Sequence, residues 1–218
     1  MRRVRVKVCG ITNKTDLGAA VDAGADAVGF VVDVPESARS ISPENARALI
    51  DATPPFVQGV VVSIFHSIDQ LATLCSLCAP DAMQVAGTLP RADTIAGHLR
   101  GVRLISTVAV NGRTVPRLAL RSAARGDAIL VDSCVIGAYG GTGMSHDWAV
   151  SRAIRDLISP TPLILAGGLT SSNVQTAIET VRPYAVDVSS GVEARPGIKD
   201  SAKIRAFIEA VTEATDGL

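Results

Sequence analysis

Two apolar runs in this chain end on residues that can move protons. Arg5–Cys9 ends on a thiol and Ala128–Asp132 ends on a carboxyl. A thiolate in a cleft is a base or a nucleophile, and a carboxyl of suitable pKa facing it is a proton donor. Each also has a plainer use, Cys9 as a small buried hydrophobe and Asp132 as a helix or loop cap. Two more runs end on small residues: Leu163–Ala166 leads into Gly167-Gly168, and Tyr184–Ser189 into Ser190-Gly191. Glycines let backbone amides approach an anion, and a helix start expected at Ser171 or Ser172 would add donors and a favourable dipole. Tight turning is the other use of these glycines. Gly140-Gly141-Thr142-Gly143 is a further glycine-rich stretch. Arg39, in the polar interruption Glu36-Ser37-Ala38-Arg39-Ser40, can grip a carboxylate with two parallel hydrogen bonds. Its alternative is a solvated surface arginine.

The remaining reactive residue types point elsewhere. His66, His98 and His146 show no metal-ligand spacing and read as surface or loop residues. Cys75-x-x-Cys78 lies within the apolar helical pattern of Leu71, Leu74 and Leu77, with no second ligand pair, so these thiols read as packing groups. All four cysteines are expected as thiols.

The elements that must position these groups follow from periodicity. Eight short apolar runs alternate with amphipathic stretches: Arg5–Cys9, Ala27–Val32, Val57–Ile64, Ala82–Val85, Gly101–Val108, Ala128–Asp132, Leu163–Ala166 and Tyr184–Ser189. Helix starts are signalled at Thr15-Asp16, Ser42-Pro43-Glu44, Ser67-x-Asp69, Ser145-x-Asp147 and Ser171-Ser172-Asn173. The motif Asp26-Ala27-Val28 recurs at Asp81-Ala82-Met83 and Asp127-Ala128-Ile129, with a weaker copy at Tyr184-Ala185-Val186, a spacing that fits two strand–helix units of about 25 residues each. With 47% hydrophobic and only 3% aromatic residues, the core must be aliphatic, as suits strands covered on both faces. The alternation predicts an α/β protein, a single (β/α)8 TIM barrel over residues 1–218, whose active site sits where the strands end. The groups above all lie there.

Formal charge is balanced, with 21 basic and 21 acidic residues and no basic stripe interleaved with aromatics, so nucleic acid is excluded as a partner. The apolar runs are too short to span a bilayer, and no h-region follows the basic start, which predicts a cytoplasmic protein without membrane association. Monomer and homodimer both stay open.

Alternation also makes a prediction inside the barrel. Lys7 points to the same side as Cys9, one layer deeper. An unpaired ammonium there is costly, and barrel closure sets the first strand beside the eighth, which carries Asp187 in an otherwise apolar run. A Lys7–Asp187 ion pair within about 4 Å is therefore expected. Its positive charge below Cys9 would favour the thiolate, and Asp187 is also a candidate substrate contact.

Several segments, in order along nearly the whole chain, carry a resemblance. They are Lys7-Val8-Cys9-Gly10-Ile11-Thr12, Gly24-Ala25-Asp26-Ala27-Val28-Gly29-Phe30, Gly140–Gly143 with Asp147-Trp148, Leu165-Ala166-Gly167-Gly168-Leu169, and Val186-Asp187-Val188-Ser189-Ser190-Gly191-Val192-Glu193 with Gly197-Ile198-Lys199-Asp200. Together they resemble the phosphoribosylanthranilate isomerase family of tryptophan biosynthesis. The resemblance implies an Amadori rearrangement of a small phosphorylated aminosugar, without metal or organic cofactor. It makes Asp132 the general acid at the furanose oxygen and Cys9 the general base at C2. Arg39 would hold the anthranilate carboxylate, and Gly167, Gly168, Ser190 and Gly191 the phosphate.

Two departures stand out. The family's Gln-Leu-His-Gly reads Gln84-Val85-Ala86-Gly87 here, so no chemistry is assigned at Ala86, and Ala38 and Ser40 flank Arg39 in place of proline and an aromatic. Two other readings compete: another phosphosugar barrel enzyme, which would need metal-binding His and Asp or a catalytic Lys and Glu at the strand ends, and a non-catalytic phosphate-binding barrel.

Overall fold

The computed structural model describes residues 3–87, 89–90, 98–99, 101–110, 115–124, 126–133 and 147–216. Cys134, the Gly140–Gly143 stretch, Ser145 and His146 lie outside the described residues. Eight parallel strands close into a barrel: β1 (Arg5–Cys9), β2 (Ala27–Val32), β4 (Gln58–Ile64), β5 (Ala82–Ala86), β6 (Arg103–Ala109), β7 (Ala128–Asp132), β8 (Leu163–Leu165) and β9 (Ala185–Val188). A two-residue strand, β3 (Ser40–Ile41), pairs with the end of β2, and β10 (Glu193–Arg195) with β11 (Ile198–Lys199) forms a small antiparallel hairpin after β9. Closure is made by β1, which pairs with both β2 and β9. All eight expected strands are present, with ends that differ by one or two residues.

Seven helices are described: α1 (Lys14–Asp22), α2 (Pro43–Asp51), α3 (Ile68–Cys78), α4 (Val115–Ala123), α5 (Trp148–Ile158), α6 (Val174–Val181) and α7 (Ser201–Asp216). None of them is long and apolar enough to cross a membrane. Ser42, Ser67 and Asp147 cap α2, α3 and α5 by accepting from backbone N–H groups of the first turn. Pro43 opens α2, where its missing N–H costs nothing. Two helices are capped differently from expectation. Helix α1 is capped by Asn13, whose Oδ1 accepts from Asp16 N–H at 2.9 Å, and not at Thr15-Asp16. Helix α6 is not capped by Ser171 or Ser172. It starts after Asn173, whose amide instead folds back on the preceding loop, accepting from Thr170 N–H and donating to Gly168 O.

Alternation along the strands makes two cores. The outer one packs Val8, Phe30, Met83, Ile129 and Leu165 against helix residues such as Leu71, Ile154 and Phe207. Cys75 and Cys78 are buried in it, and burial pushes both thiols up to about 11, so they are packing groups and not reactive ones. The inner core fills the barrel with Val60, Ala82, Ile105, Leu130, Ile164 and Ala185. Below this layer a cavity of about 190 Å³, lined in part by Arg5, Gln58, Arg103 and Tyr184, lies at the strand N-termini.

The recurring aspartate explains how neighbouring strands are registered. Asp26, Asp81 and Asp127 stand immediately before β2, β5 and β7. Each backbone N–H donates to a carbonyl of the preceding barrel strand, of Val6, Gly59 and Leu104 at 2.9, 2.9 and 2.7 Å. Each carboxylate accepts from the N–H of the same residue, at 2.8, 2.7 and 2.8 Å. The repeat is thus a two-bond clamp between consecutive strands. Tyr184 keeps the backbone half, donating to Leu163 O at 2.9 Å, and has no carboxylate for the other. Replacing Asp81 by alanine strands the buried Gly59 N–H and should cost about 1–2 kcal/mol in urea unfolding. Turnover should not change, since the clamp sits at the end of the barrel away from the mouth. Unchanged stability would show that the clamp carries no weight.

Candidate active site

The mouth is built from strand ends. Leu130 belongs to the inner core, so alternation turns Asp132, two residues on, inward at the end of β7. Lys7 and Cys9 share the inner face of β1. Lys7 Nζ donates to Asp187 Oδ1 at 3.0 Å, with side chains 4% and 8% exposed, as the sequence predicts, and the two residues are in register on β1 and β9. Gly29 on β2 leaves room for both side chains: a Cβ there would stand 2.9 Å from Cys9 Sγ and 3.1 Å from Lys7 Cε.

Burial opposes the Lys7 charge, but Asp187 and Cys9 outweigh it, and Lys7 titrates above its ordinary range. At Cys9 the balance falls the other way. Burial pushes the thiol up, Lys7 pulls it down, and burial wins, so the pKa lies above the usual thiol value. As expected, Lys7 favours the thiolate, although it limits and does not cancel the rise that burial imposes.

Arg39 stands at the same rim, and not in solvent. Its side chain crosses Gly10, where a Cβ would meet Arg39 Cδ at 2.6 Å. Its Nε and Nη2 donate to Glu193 Oε1 and Oε2 at 2.8 and 2.7 Å. The fork expected to grip a ligand carboxylate is thus taken by Glu193, and among the described residues Nη1 has no hydrogen-bond partner. Lys199 Nζ donates to Glu193 Oε1 at 2.9 Å and to Ser189 O at 3.1 Å. Burial depresses Lys199 and works to raise Glu193, but Arg39 and Lys199 hold Glu193 below the usual carboxylate range. The hairpin supplies this cluster, because Glu193 and Lys199 are opposite each other across β10 and β11. It is fastened by Thr12 Oγ1 donating to Gly197 O and Lys199 N–H donating to Asp16 Oδ2. Sequence reasoning assigned no role to Glu193 or Lys199. Their signal is two charged residues of opposite sign around a Gly-containing turn, just after an apolar strand.

Gly167-Gly168 and Ser190-Gly191 come together as the two loops after β8 and β9. Gly167 and Gly168 have φ of +92° and +64°, a region that favours glycine. A Cβ on Gly191 would fall 2.0 Å from Leu169 O, so only glycine allows the loops to touch. Among the described residues the amides of Gly167 and Gly168 donate to no protein acceptor. Backbone amides left in this way can hold an anion.

The buried pair can be tested by breaking it. Lys7→Met leaves Asp187 unpaired and should destabilise by about 3–5 kcal/mol, whereas Lys7→Met with Asp187→Leu should recover most of that loss. Chemical denaturation of the two variants decides. A single variant as stable as the wild type would mean that the pair is not a coupled unit.

Comparison with known proteins agrees with this geometry. The model of the family "N-(5'-phosphoribosyl)anthranilate (PRA) isomerase" matches residues 6–210. The N-(5'-phosphoribosyl)anthranilate isomerase of Halobacterium salinarum is 48% identical over 97% of both chains, and that of Natronomonas pharaonis is 44% identical over 94% of this chain and 97% of its own. The crystal structure of the Thermotoga maritima phosphoribosyl anthranilate isomerase superposes with a TM-score of 0.83 at 39% identity, covering 99% of this chain and all of that one. A phosphoribosyl anthranilate isomerase crystallised with reduced 1-(o-carboxyphenylamino)-1-deoxyribulose 5-phosphate superposes at 0.81 with 38% identity and the same coverage. With matches of this extent and identity, the chain belongs to the N-(5'-phosphoribosyl)anthranilate isomerase family.

Proposed function

We propose that this chain converts N-(5-phosphoribosyl)anthranilate to 1-(2-carboxyphenylamino)-1-deoxyribulose 5-phosphate, with Asp132 as general acid and Cys9 as general base. Asp132 gives its proton to the furanose oxygen as the C1–O bond breaks and the anilino nitrogen forms a C1=N iminium. The Cys9 thiolate then takes the proton from C2. The C2–H electrons form a C1=C2 bond, the C=N pair returns to nitrogen, and the product is an enolamine. Loss of the C2 hydroxyl proton and protonation of C1 give the ketone. Metal and organic cofactor have no part in these steps.

The observation that carries this reading is the placement of one thiol and one carboxyl on the inner face of the same rim, at the ends of β1 and β7. Substrate fits around them in sections. The phosphate lies on the amides of Gly167, Gly168, Ser190 and Gly191, where loop dipoles favour an anion. The anthranilate carboxylate meets the Nη1 edge of Arg39, whose plane Glu193 fixes. Asp187, fixed by Lys7 beneath the rim, is within the same polar layer and available to a sugar hydroxyl. A dimeric form is recorded for the Thermotoga maritima relative, and a homodimer of this chain is compatible with a mouth formed by one barrel alone.

The decisive assay is the fluorescence loss of phosphoribosylanthranilate. Cys9→Ala should lose at least about 100-fold in kcat, the low end for a positioned base. Asp132→Asn, which keeps the shape but has no proton to give, should lower kcat more than it raises KM. Near-normal kcat in Cys9→Ala, or a pure KM effect in Asp132→Asn, would remove the residue concerned from the proton-transfer chemistry.

A further inference from the structure

One part of the barrel interior is polar without an internal reason. Gln84 shares the inner face of β5 with Ala82, and Thr107 that of β6 with Ile105. Ala82 and Ile105 belong to the apolar inner layer, so Gln84 and Thr107 stand one step nearer the mouth. Gln84 is only 6% exposed. Its Oε1 and the Oγ1 of Thr107 are both buried, and neither has a hydrogen-bond partner among the described residues. Register makes them diagonal neighbours: Gln84 pairs with Ile105, and Thr107 with Ala86. The inner position on the adjoining strand β4 is filled by Val62, which packs on the inner core. An aliphatic residue would be cheaper at either site, because a buried polar group without a partner lowers stability. Native proteins retain few such groups, and a functional site is one place where they are kept.

Their position fits the reacting unit. Strand β6 lies across the barrel from β1, four strands away in either direction, and β7 with Asp132 is its neighbour. The two orphan oxygens therefore face the Cys9 side of the mouth from the opposite wall. We infer that Gln84 and Thr107 together bind one hydroxyl of the substrate's ribose chain, which fixes the sugar between Cys9 and Asp132. The inference rests on the isomerase reading above. A carbonyl oxygen only accepts, whereas a threonine hydroxyl both donates and accepts. A sugar hydroxyl does both, so it donates to Gln84 Oε1 while accepting from Thr107. The anilino N–H donates only and would satisfy one of the two. The phosphate and carboxylate have no proton to offer, and their charge would repel the carbonyl. Both residues act by binding, not by proton transfer.

The test uses the near-isosteric variants Gln84→Met and Thr107→Val, each alone and combined, with the wild type alongside. Each single variant should lose roughly tenfold in kcat/KM for N-(5-phosphoribosyl)anthranilate, the scale of one lost hydrogen bond. The double variant should lose less than the product of the two, because both residues hold the same hydroxyl. Thermal midpoints should stay level or rise, since an unpaired buried polar atom has been removed. Wild-type kcat/KM in both single variants overturns the inference, and so does a lowered midpoint with normal turnover, which would make the pair part of the fold. Fully multiplicative losses overturn the shared hydroxyl. Absence of turnover in the wild type overturns the isomerase reading and this inference together, and so is distinguished from failure of the inference alone.

Discussion

The barrel closes over a pair of charges, each less than a tenth exposed. Lys7 and Asp187 come from opposite ends of the chain, on the two strands whose pairing completes the cylinder. Neither could be buried alone, because an isolated charge in such an interior costs far more than a hydrogen bond returns. A packed aliphatic pair would hold the seam at least as well. What the ionic pair adds is a field directly beneath Cys9, and that field opposes the rise in thiol pKa that burial imposes. The result is a thiol held above its ordinary range but below where burial alone would put it. It is mostly protonated at neutral pH.

A second cluster sits beside the first. Arg39, Glu193 and Lys199 tie the loop after β2 to the hairpin after β9, and Lys199 reaches the carbonyl of Ser189 at the end of the β9 wall. Across both clusters three cations face two carboxylates while Cys9 is neutral. That excess suits a ligand with a phosphate at one end and a carboxylate at the other. The glycine contacts at Gly10, Gly29 and Gly191 let these parts approach, since any side chain there would separate them. Opposite this charged rim stand the uncharged Gln84 and Thr107, and below both lies an inner layer of aliphatic residues. The interior thus passes from an aliphatic middle layer to a polar mouth.

Much of this was legible in the chain itself. Strand periodicity located all eight barrel strands, and period-two alternation was enough to bring Lys7 to Asp187 across 180 residues, because barrel closure leaves the first strand one new neighbour. The aspartate repeat was visible as a spacing, while its meaning, a clamp on the preceding strand, required the register. Three features were not legible. The absence of a serine cap on α6 was one, since the Asn173 amide is used by the loop before the helix while two serines nearby offered an equally good cap. Glu193 could not be matched to Arg39, since the pairing depends on a hairpin that folds back over the rim. The depth of Cys9 could not be weighed against the charge of Lys7, because desolvation is a property of the whole surroundings and not of a neighbour in sequence.

The central claim is that Cys9 is the base and that the Lys7–Asp187 pair sets its pKa. It is tested most directly by the pH dependence of kcat/KM in the wild type and in Lys7→Met with Asp187→Leu. A base must lose its proton before it acts, so activity should rise with pH toward the raised thiol pKa. Lys7 lowers that pKa more than Asp187 raises it, so removing both should move the rising limb to higher pH. A limb that stays in place or moves to lower pH in the double variant would contradict the account.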